Sequence, residues 1–354
     1  MFLKSIDQLM NFNAITIKDI AKALGLSIST VSKALSDSYE ISEKTKKLVN
    51  DYATAHNYSP NPIAKSLKQG HSKSIGIIVS TIDNTFFSQV ISGIESLAYS
   101  KGYNVMITQT HESYDLEVRN VKHLIFRSVD GLLVSLSSET KDVEHLASLQ
   151  QKGLPIVFFD RVTSEIDTHK VIADNFSGAY NGTTNLIKSG FKRIAHITSS
   201  PGLSISGERL AGYKKALKDN GIALNEQYIK YCQHGGRDLN EIETALNDLL
   251  TMEDRPDALF TASDRITTTI LGLLHQLKVK IPEDIALMGF TNTHLSGVLN
   301  PPLSALVQPG FEIGKIAMEM LIDLIESKRP VTEFETKVLP VELFVRESST
   351  PKAH

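Results

Sequence analysis

A chain of 354 residues, 41% hydrophobic and 22% charged, is long enough for two or three domains and has a globular composition. Its single cysteine, Cys232, excludes an intramolecular disulfide, no apolar run reaches the roughly 18 residues of a membrane span, and the N-terminal stretch lacks a signal peptide's apolar core and cleavage site, so a reducing cytoplasm is expected. The net charge of −3 is uneven: residues 1–74 hold ten lysines against six carboxylates, +4, which leaves −7 on the rest, the balance of a polyanion-binding module on an acidic body.

In chain order, residues 16–57 carry helical patterns only. Thr16 predicts a helix start with Asp19 in the first turn, Ile20, Ala21 and Leu24 inward, and Gly25 as the stop. Ser27 can cap a second helix with Val31, Ala34 and Leu35 inward, and Ser42 a third with Leu48, Val49, Tyr52 and Ala53 inward. The stretch SPNPIAKSLKQG (59–70) opens like a linker, then reads from Pro62 to Lys68 as two turns of helix with Ile63 and Leu67 on one face. Alone, so short a helix is unstable in water. From Ser74, apolar runs typical of buried parallel strands, at 74–80, 103–109, 131–136, 155–160, 193–199, 258–263 and 285–291, alternate with helix-length segments such as Phe87 to Lys101 and Gly207 to Asn220. The alternation predicts βαβ units in two doubly wound lobes, with a ligand cleft outside the carboxyl ends of the strands.

In IAKALGLSISTVSKA (20–34), small Ala21, turn-forming Gly25 and apolar Val31 stand at the spacing of a helix-turn-helix, and the second helix exposes Ser29, Ser32 and Lys33 without a structural need for them. A plain αα-hairpin is the alternative. The segments ITIKDIAKALGLSISTVSKAL (15–35) and NYSPNPIAKSL (57–67), with the later strand motifs, resemble the lactose-repressor (LacI/GalR) family of bacterial transcription regulators over essentially the whole chain from Ile15. The resemblance implies a small all-α helix-turn-helix DNA-binding domain at 15–59, a hinge helix and linker at 60–73, and an α/β two-lobed periplasmic-binding-protein-like effector domain of doubly wound parallel sheets at 74–348. The first lobe is expected at about 74–172 and 303–330, the second at about 173–302 and 331–348. The chain is expected to cross between them near 171–175 and 301–309 and again before a strand in 341–348.

The resemblance also implies roles. Ser27, Ile28, Ser29, Thr30, Ser32 and Lys33 would enter the DNA major groove, with Ile28 and Ser29 the principal base readers; Ser36, Ser42, Thr45 and Asn57 would face phosphates. Lys33 stands where relatives often carry arginine and lacks its two-pronged fit to guanine. Asn61, Ala64, Lys65, Leu67 and Lys68 would form a hinge helix that folds in the minor groove beside a second copy, with Leu67 as a wedge between base steps. A linker helix docked on the body is the alternative, and it leaves Pro60 and Pro62 unexplained. Phe86, Phe87, Asp160, Arg161, Arg209, Ser263, Asp264 and Thr291 would line the effector cleft, with Asp160 and Arg209 the principal pair. Threonine stands at 291 where sugar- and purine-sensing relatives often have aspartate, and Gly236 stands near a place where they often have an aromatic ring.

No catalytic machinery is expected: GLSISG (202–207) has its second glycine one place too far for a nucleophile elbow, and no phosphate-binding loop with lysine is present. The eleven histidines show no pair at metal-ligand spacing with a carboxylate or cysteine, so neither metal nor cofactor is expected. The expected function is a homodimeric, ligand-responsive regulator, in particular a repressor, of a palindromic double-stranded DNA operator. Its effector is expected to be a small polar molecule such as a sugar or sugar derivative, and its place the bacterial cytoplasm, on the nucleoid when bound to the operator, without a membrane partner. The alternative is a cytoplasmic solute-binding protein or enzyme with a helical appendage. Residues 1–14 receive no role.

Overall fold

Thr16, Ser27 and Ser42 each begin a helix. Thr16 Oγ1 accepts from the Asp19 N–H at 3.3 Å while Asp19 Oδ2 accepts from the Thr16 N–H at 2.9 Å, a closed capping box before α1 (Ile17–Leu24). Gly25, at φ 62°, ends that helix in the left-handed region. Ser27 and Ser42 accept from the N–H groups of Thr30 and Thr45 and so cap α2 (Ile28–Leu35) and α3 (Glu43–Ala55). The computed structural model describes residues 15–58 and 71–351, in two units that divide between Ser72 and Lys73.

In the first unit Ile20, Ala21, Val31, Ala34, Val49 and Ala53 meet in one core. Each large aliphatic side chain so buried contributes about 1.5–3 kcal/mol. Leu48, expected inward, is half exposed instead. Consecutive residues on a helix point about 100° apart, and burying Val49 turns Leu48 outward.

In the second unit Ser74–Val79 (β1), Asn104–Gln109 (β2), Gly131–Val134 (β3), Ile156–Phe159 (β4), Lys170–Ala173 (β5) and Thr336–Leu339 (β11) form one parallel sheet in the order β11-β5-β4-β3-β1-β2. Ile194–Ser199 (β6), Ile229–Cys232 (β7), Ala258–Thr261 (β8), Ala286–Phe290 (β9), Ser304–Val307 (β10) and Glu342–Phe344 (β12) form the other, in the order β12-β10-β9-β8-β6-β7, with β12 antiparallel to β10. Every residue of β1, β3, β4, β6, β8 and β9 is buried, as in sheets covered by helices on both faces. The covering helices are Thr85–Ser100 (α4), Tyr114–Phe126 (α5), Glu144–Gln151 (α6), Asn175–Lys188 (α7), Ser204–Asp219 (α8), Leu239–Leu250 (α9), Asp264–Gln276 (α10) and Gly310–Glu326 (α11). Helix α11 belongs to the first lobe, pressed on α4 so closely that a Cβ on Gly314 would lie 1.9 Å from Val90 O.

The chain passes between lobes after β5, after β10, and between β11 and β12. Two expected lobe assignments are corrected. Ser304–Val307, expected in the first lobe with 303–330, pairs with β9 and β12 in the second sheet. Thr336–Leu339, expected in the second lobe with 331–348, pairs with β5 in the first. Each placement satisfies an outer row of peptide groups, on β9 and on β5, that would otherwise lie unpaired.

Candidate functional site

On the head, α2 presents Ile28 at 48% exposure beside exposed Ser27 and Ser29, while Val31 and Ala34 hold the opposite face in the core. An apolar side chain left in solvent next to two serines is unlike the rest of this helix. Five of the candidate hydroxyls have local partners: Ser27 Oγ with Thr30 Oγ1 at 2.8 Å, Ser36 Oγ donating to Ser32 O at 2.7 Å, and Ser42 Oγ with Thr45 Oγ1 at 2.9 Å, while Ser32 is half-buried on α2. Lys33 is ion-paired with Glu40. Asn57 follows α3 in the left-handed region at φ 50° and is exposed. Asn61, Ala64, Lys65, Leu67 and Lys68 lie outside the described residues.

In the two-lobed unit the first residue beyond each of four neighbouring strands is polar and buried: Ser80, Thr110, Ser135 and Asp160. Their position at the carboxyl ends of β1, β2, β3 and β4 faces them toward the second lobe, where ligands of such sheets bind. Asp160 sits at φ 58°, a conformation that a residue with a side chain adopts only under constraint from its surroundings. Its Oδ1 accepts from Gln308 Nε2 at 3.4 Å, and its Oδ2 lies 3.9 Å from Arg161 Nε. Arg161 Nη1 donates to Glu112 Oε2 at 2.6 Å.

Arg209 approaches from α8. It is 2% exposed, its Nε donates to Asn175 Oδ1 at 2.8 Å, its Nη1 to Ala262 O at 2.5 Å, and its guanidinium carbon lies 3.9 Å from the centre of the Phe290 ring. Burial pushes its pKa down to about 10, so it stays cationic at neutral pH. Burial raises the carboxyl pKa of Asp160, opposed by the charges of Arg161 and Arg209. Arg209 Nη2, Arg161 Nε and the hydroxyls of Thr110, Ser135 and Ser206 are buried without a hydrogen-bond partner. Buried polar atoms in proteins are paired as a rule, so a group of open ones marks a place for a polar ligand.

The remaining expected cleft residues divide. Thr291 donates its hydroxyl to Asp264, whose pKa burial raises, and Ser263 caps α10 by accepting from the Ile266 N–H at 3.3 Å. Phe86 and Phe87 are both buried in the first lobe's core cluster, Phe87 edge-on to Phe159, so packing occupies these rings.

A family model described as bacterial regulatory proteins of the lacI family matches residues 16–61, and one described as a periplasmic binding protein-like domain matches residues 183–349. A ribose operon repressor from Haemophilus influenzae is 33% identical over 335 residues, covering 94% of this chain and 98% of that protein. The chain belongs to the lacI family of bacterial regulatory proteins. The HTH-type transcriptional repressor PurR of Vibrio atlanticus is 31% identical over 337 residues, 95% of this chain and 98% of that one. Among solved structures, a complex of the transcriptional regulator CelR with cellobiose has a TM-score of 0.70 at 26% identity, covering 94% of this chain and 99% of that one. As a member of the lacI family the chain is a DNA-binding transcriptional repressor and not an enzyme. Among the described residues no helix is long and apolar enough to cross a membrane.

Sequence reasoning missed several residues of this LacI-family cleft. Asn175 positions Arg209, Glu112 positions Arg161, and Gln89 Oε1 accepts from Asn292 Nδ2 across the lobes at 2.6 Å. At the rim Arg265 Nη2 reaches both Asp83 oxygens at 2.8 Å, and Arg237 Nη1 donates to His111 Nδ1 at 2.9 Å. Among the described residues, the expectation that no histidine stands at metal-ligand spacing has one exception, His234 with Asp238 and Glu241. Helical spacing could signal only Asp238 and Glu241, the N-cap and first turn of α9; His234 lies in the turn before them, where Gly235 and Gly236 take positive φ and no periodicity holds.

Proposed function

We propose that the chain is a homodimeric repressor of a palindromic operator whose grip on DNA is set by a small carbohydrate in the interlobe cleft. The observation that carries the effector assignment is the buried pair Asp160 and Arg209, with the open Arg209 Nη2 and the open hydroxyls beside it. Vicinal sugar hydroxyls donate to a carboxylate and accept from a guanidinium at once, a match that an apolar ligand cannot make. Thr291 keeps Asp264 oriented, and Ser135, Arg161 and Ser206 supply further polar positions. The name of the ribose operon repressor relative and the cellobiose in the CelR complex support a sugar.

On the DNA side, Ile28 and Ser29 read base edges in the major groove, flanked by Ser27, Thr30, Ser32 and Lys33. Exposed Ile28 supplies the apolar contact that a thymine methyl accepts. Ser36, Ser42, Thr45 and Asn57 set the register on phosphates. Residues 61–68 form the hinge helix, with Leu67 from each copy entering the central base step, unstacking it at a cost of a few kcal/mol. Closure of the lobes couples the two sites, with a coupling free energy of about 1–3 kcal/mol.

The test is a melting-temperature screen of the full chain against pentoses, hexoses, disaccharides and nucleobases. A sugar at 100 times its Kd stabilises the native state by about 2.7 kcal/mol, and the same sugar must shift operator affinity. Stabilisation by a nucleobase and by no sugar contradicts the carbohydrate assignment.

A further inference from the structure

The loop after β7 gathers side chains that neither the sugar site nor the DNA-binding head uses. His234, Asp238 and Glu241 each bring a ring nitrogen or carboxylate oxygen within 4.8 Å of the other two. Asp238 is the N-cap of α9 and Glu241 lies in its first turn, so the helix start fixes both. His234 Nδ1 lies 2.9 Å from Glu241 Oε1, and the His234 N–H donates to Glu241 Oε2 at 3.1 Å. Asp238 accepts from the Asn240 N–H through Oδ1, which leaves Oδ2 available.

A cavity of about 220 Å3 opens on this loop, and the first lobe closes its other side with His111, Glu112 and Glu139. Glu112 is the independent observation. It is 6% exposed and accepts from the Ser138 N–H at 2.8 Å and from Arg161 Nη1 at 2.6 Å, both through Oε2. None of its hydrogen bonds uses Oε1, which faces the loop so closely that a Cβ on Gly235 would lie 3.1 Å from it. Oε1 borders the cavity, where a positive group entering can meet it. Glu112, Glu139, Asp238 and Glu241 stand against two guanidiniums, Arg161 on Glu112 and Arg237 on His111, so the cluster is short of two positive charges.

We infer that this edge of the cleft binds one divalent transition cation of the zinc class through His234, Asp238 and Glu241, with Glu112 Oε1 as the donor presented by the first lobe. One imidazole with carboxylate oxygens suits such an ion, whereas magnesium and calcium prefer all-oxygen sites. Donors from both lobes make the ion a clamp: it binds the closed cleft more tightly than the open one and adds to whatever closure the effector drives.

The test is calorimetric titration of untagged, chelator-treated full-length protein with zinc chloride. One ion per chain is expected, with affinity about tenfold or more weaker in His234→Ala, Glu241→Gln and Glu112→Gln and unchanged in Asp248→Asn, an exposed carboxylate farther along α9. Melting curves without zinc that match the wild type establish that each variant is folded. No stoichiometric binding by the wild type, or wild-type affinity in His234→Ala and Glu241→Gln, overturns the site as an adventitious ion only; wild-type affinity in Glu112→Gln overturns the clamp. Neither sugar nor DNA enters the measurement, so its outcome stands apart from the repressor reading.

Discussion

Arg209 holds its guanidinium carbon 3.9 Å from the centre of the Phe290 ring while its Nε is tied to Asn175, which leaves Nη2 of a buried cation without a hydrogen-bond partner. Lysine cannot reproduce that geometry, because it lacks the planar fork that stacks on the ring and donates sideways at once. Arg209→Lys is therefore expected to weaken effector binding by about 2–5 kcal/mol, the range for truncating a buried hydrogen-bonded charge. Operator binding without effector should persist. Sugar-dependent melting shifts and operator titrations on the same preparation check both halves.

His196 gives a stability test independent of ligand. It is fully buried, stacked on Tyr213 at 4.9 Å and Phe260 at 5.3 Å, with Nδ1 at 3.1 Å from Phe260 O. Burial pushes its pKa from 6.5 down to about 3, so below pH 6.5 the unfolded chain takes up a proton that the folded chain refuses. Stability is then lost as pH falls, by about 1.4 kcal/mol per unit once the unfolded histidine is protonated. Asp160 and Asp264, whose pKa values are raised by burial, contribute the opposite slope in the carboxylate range. Subtracting the profile of His196→Phe from that of the wild type between pH 7.5 and 5 isolates the histidine. Parallel melting profiles would contradict this account.

The rim pair Asp83 and Arg265 is 63% and 34% exposed, so screening by water and salt limits it to about 0.2–1 kcal/mol although Nη2 reaches both carboxylate oxygens. Asp83→Asn should reduce sugar affinity by no more than about fivefold. The loss should fade in high salt, whereas that of Arg209→Lys should not. A double-mutant cycle with Arg265→Gln measures the pair.

Ile28 on α2 carries a specificity prediction. Ile28→Ala should cost about 1–3 kcal/mol at one base pair of each half-site and leave nonspecific affinity and its salt dependence unchanged. Selection of random DNA by wild type and variant, at matched salt, reads the change in preference.

How far the molecule could be read from sequence depends on where each element lies. The three head helices were legible because Thr16, Ser27, Gly25 and Ser42 are local signals that act on their own backbone. Fully buried strands such as β1 and β6 were legible as apolar runs. Strand β7, IKYC, sits at a sheet edge with Lys230 half-buried and Tyr231 exposed, and β11, TKVL, is exposed for three of its four residues, so neither makes a run. The lobe of β10 was illegible for a different reason: SALV fits either sheet, and only pairing with β9 and β12 decides. In the cleft, the family resemblance pointed to Asp160 and Arg209, both of which are buried, whereas Glu112 and Asn175 act by supporting another side chain from a distant part of the chain.

The most direct measurement is hydroxyl-radical footprinting of a DNA site selected by the full chain, together with the stoichiometry of the complex. The account predicts two chains on a two-fold symmetric site, distorted at its central step, with Leu67→Ala losing that distortion and most of the specific affinity while nonspecific binding is retained. A single chain occupying an asymmetric, undistorted site with full affinity would contradict it.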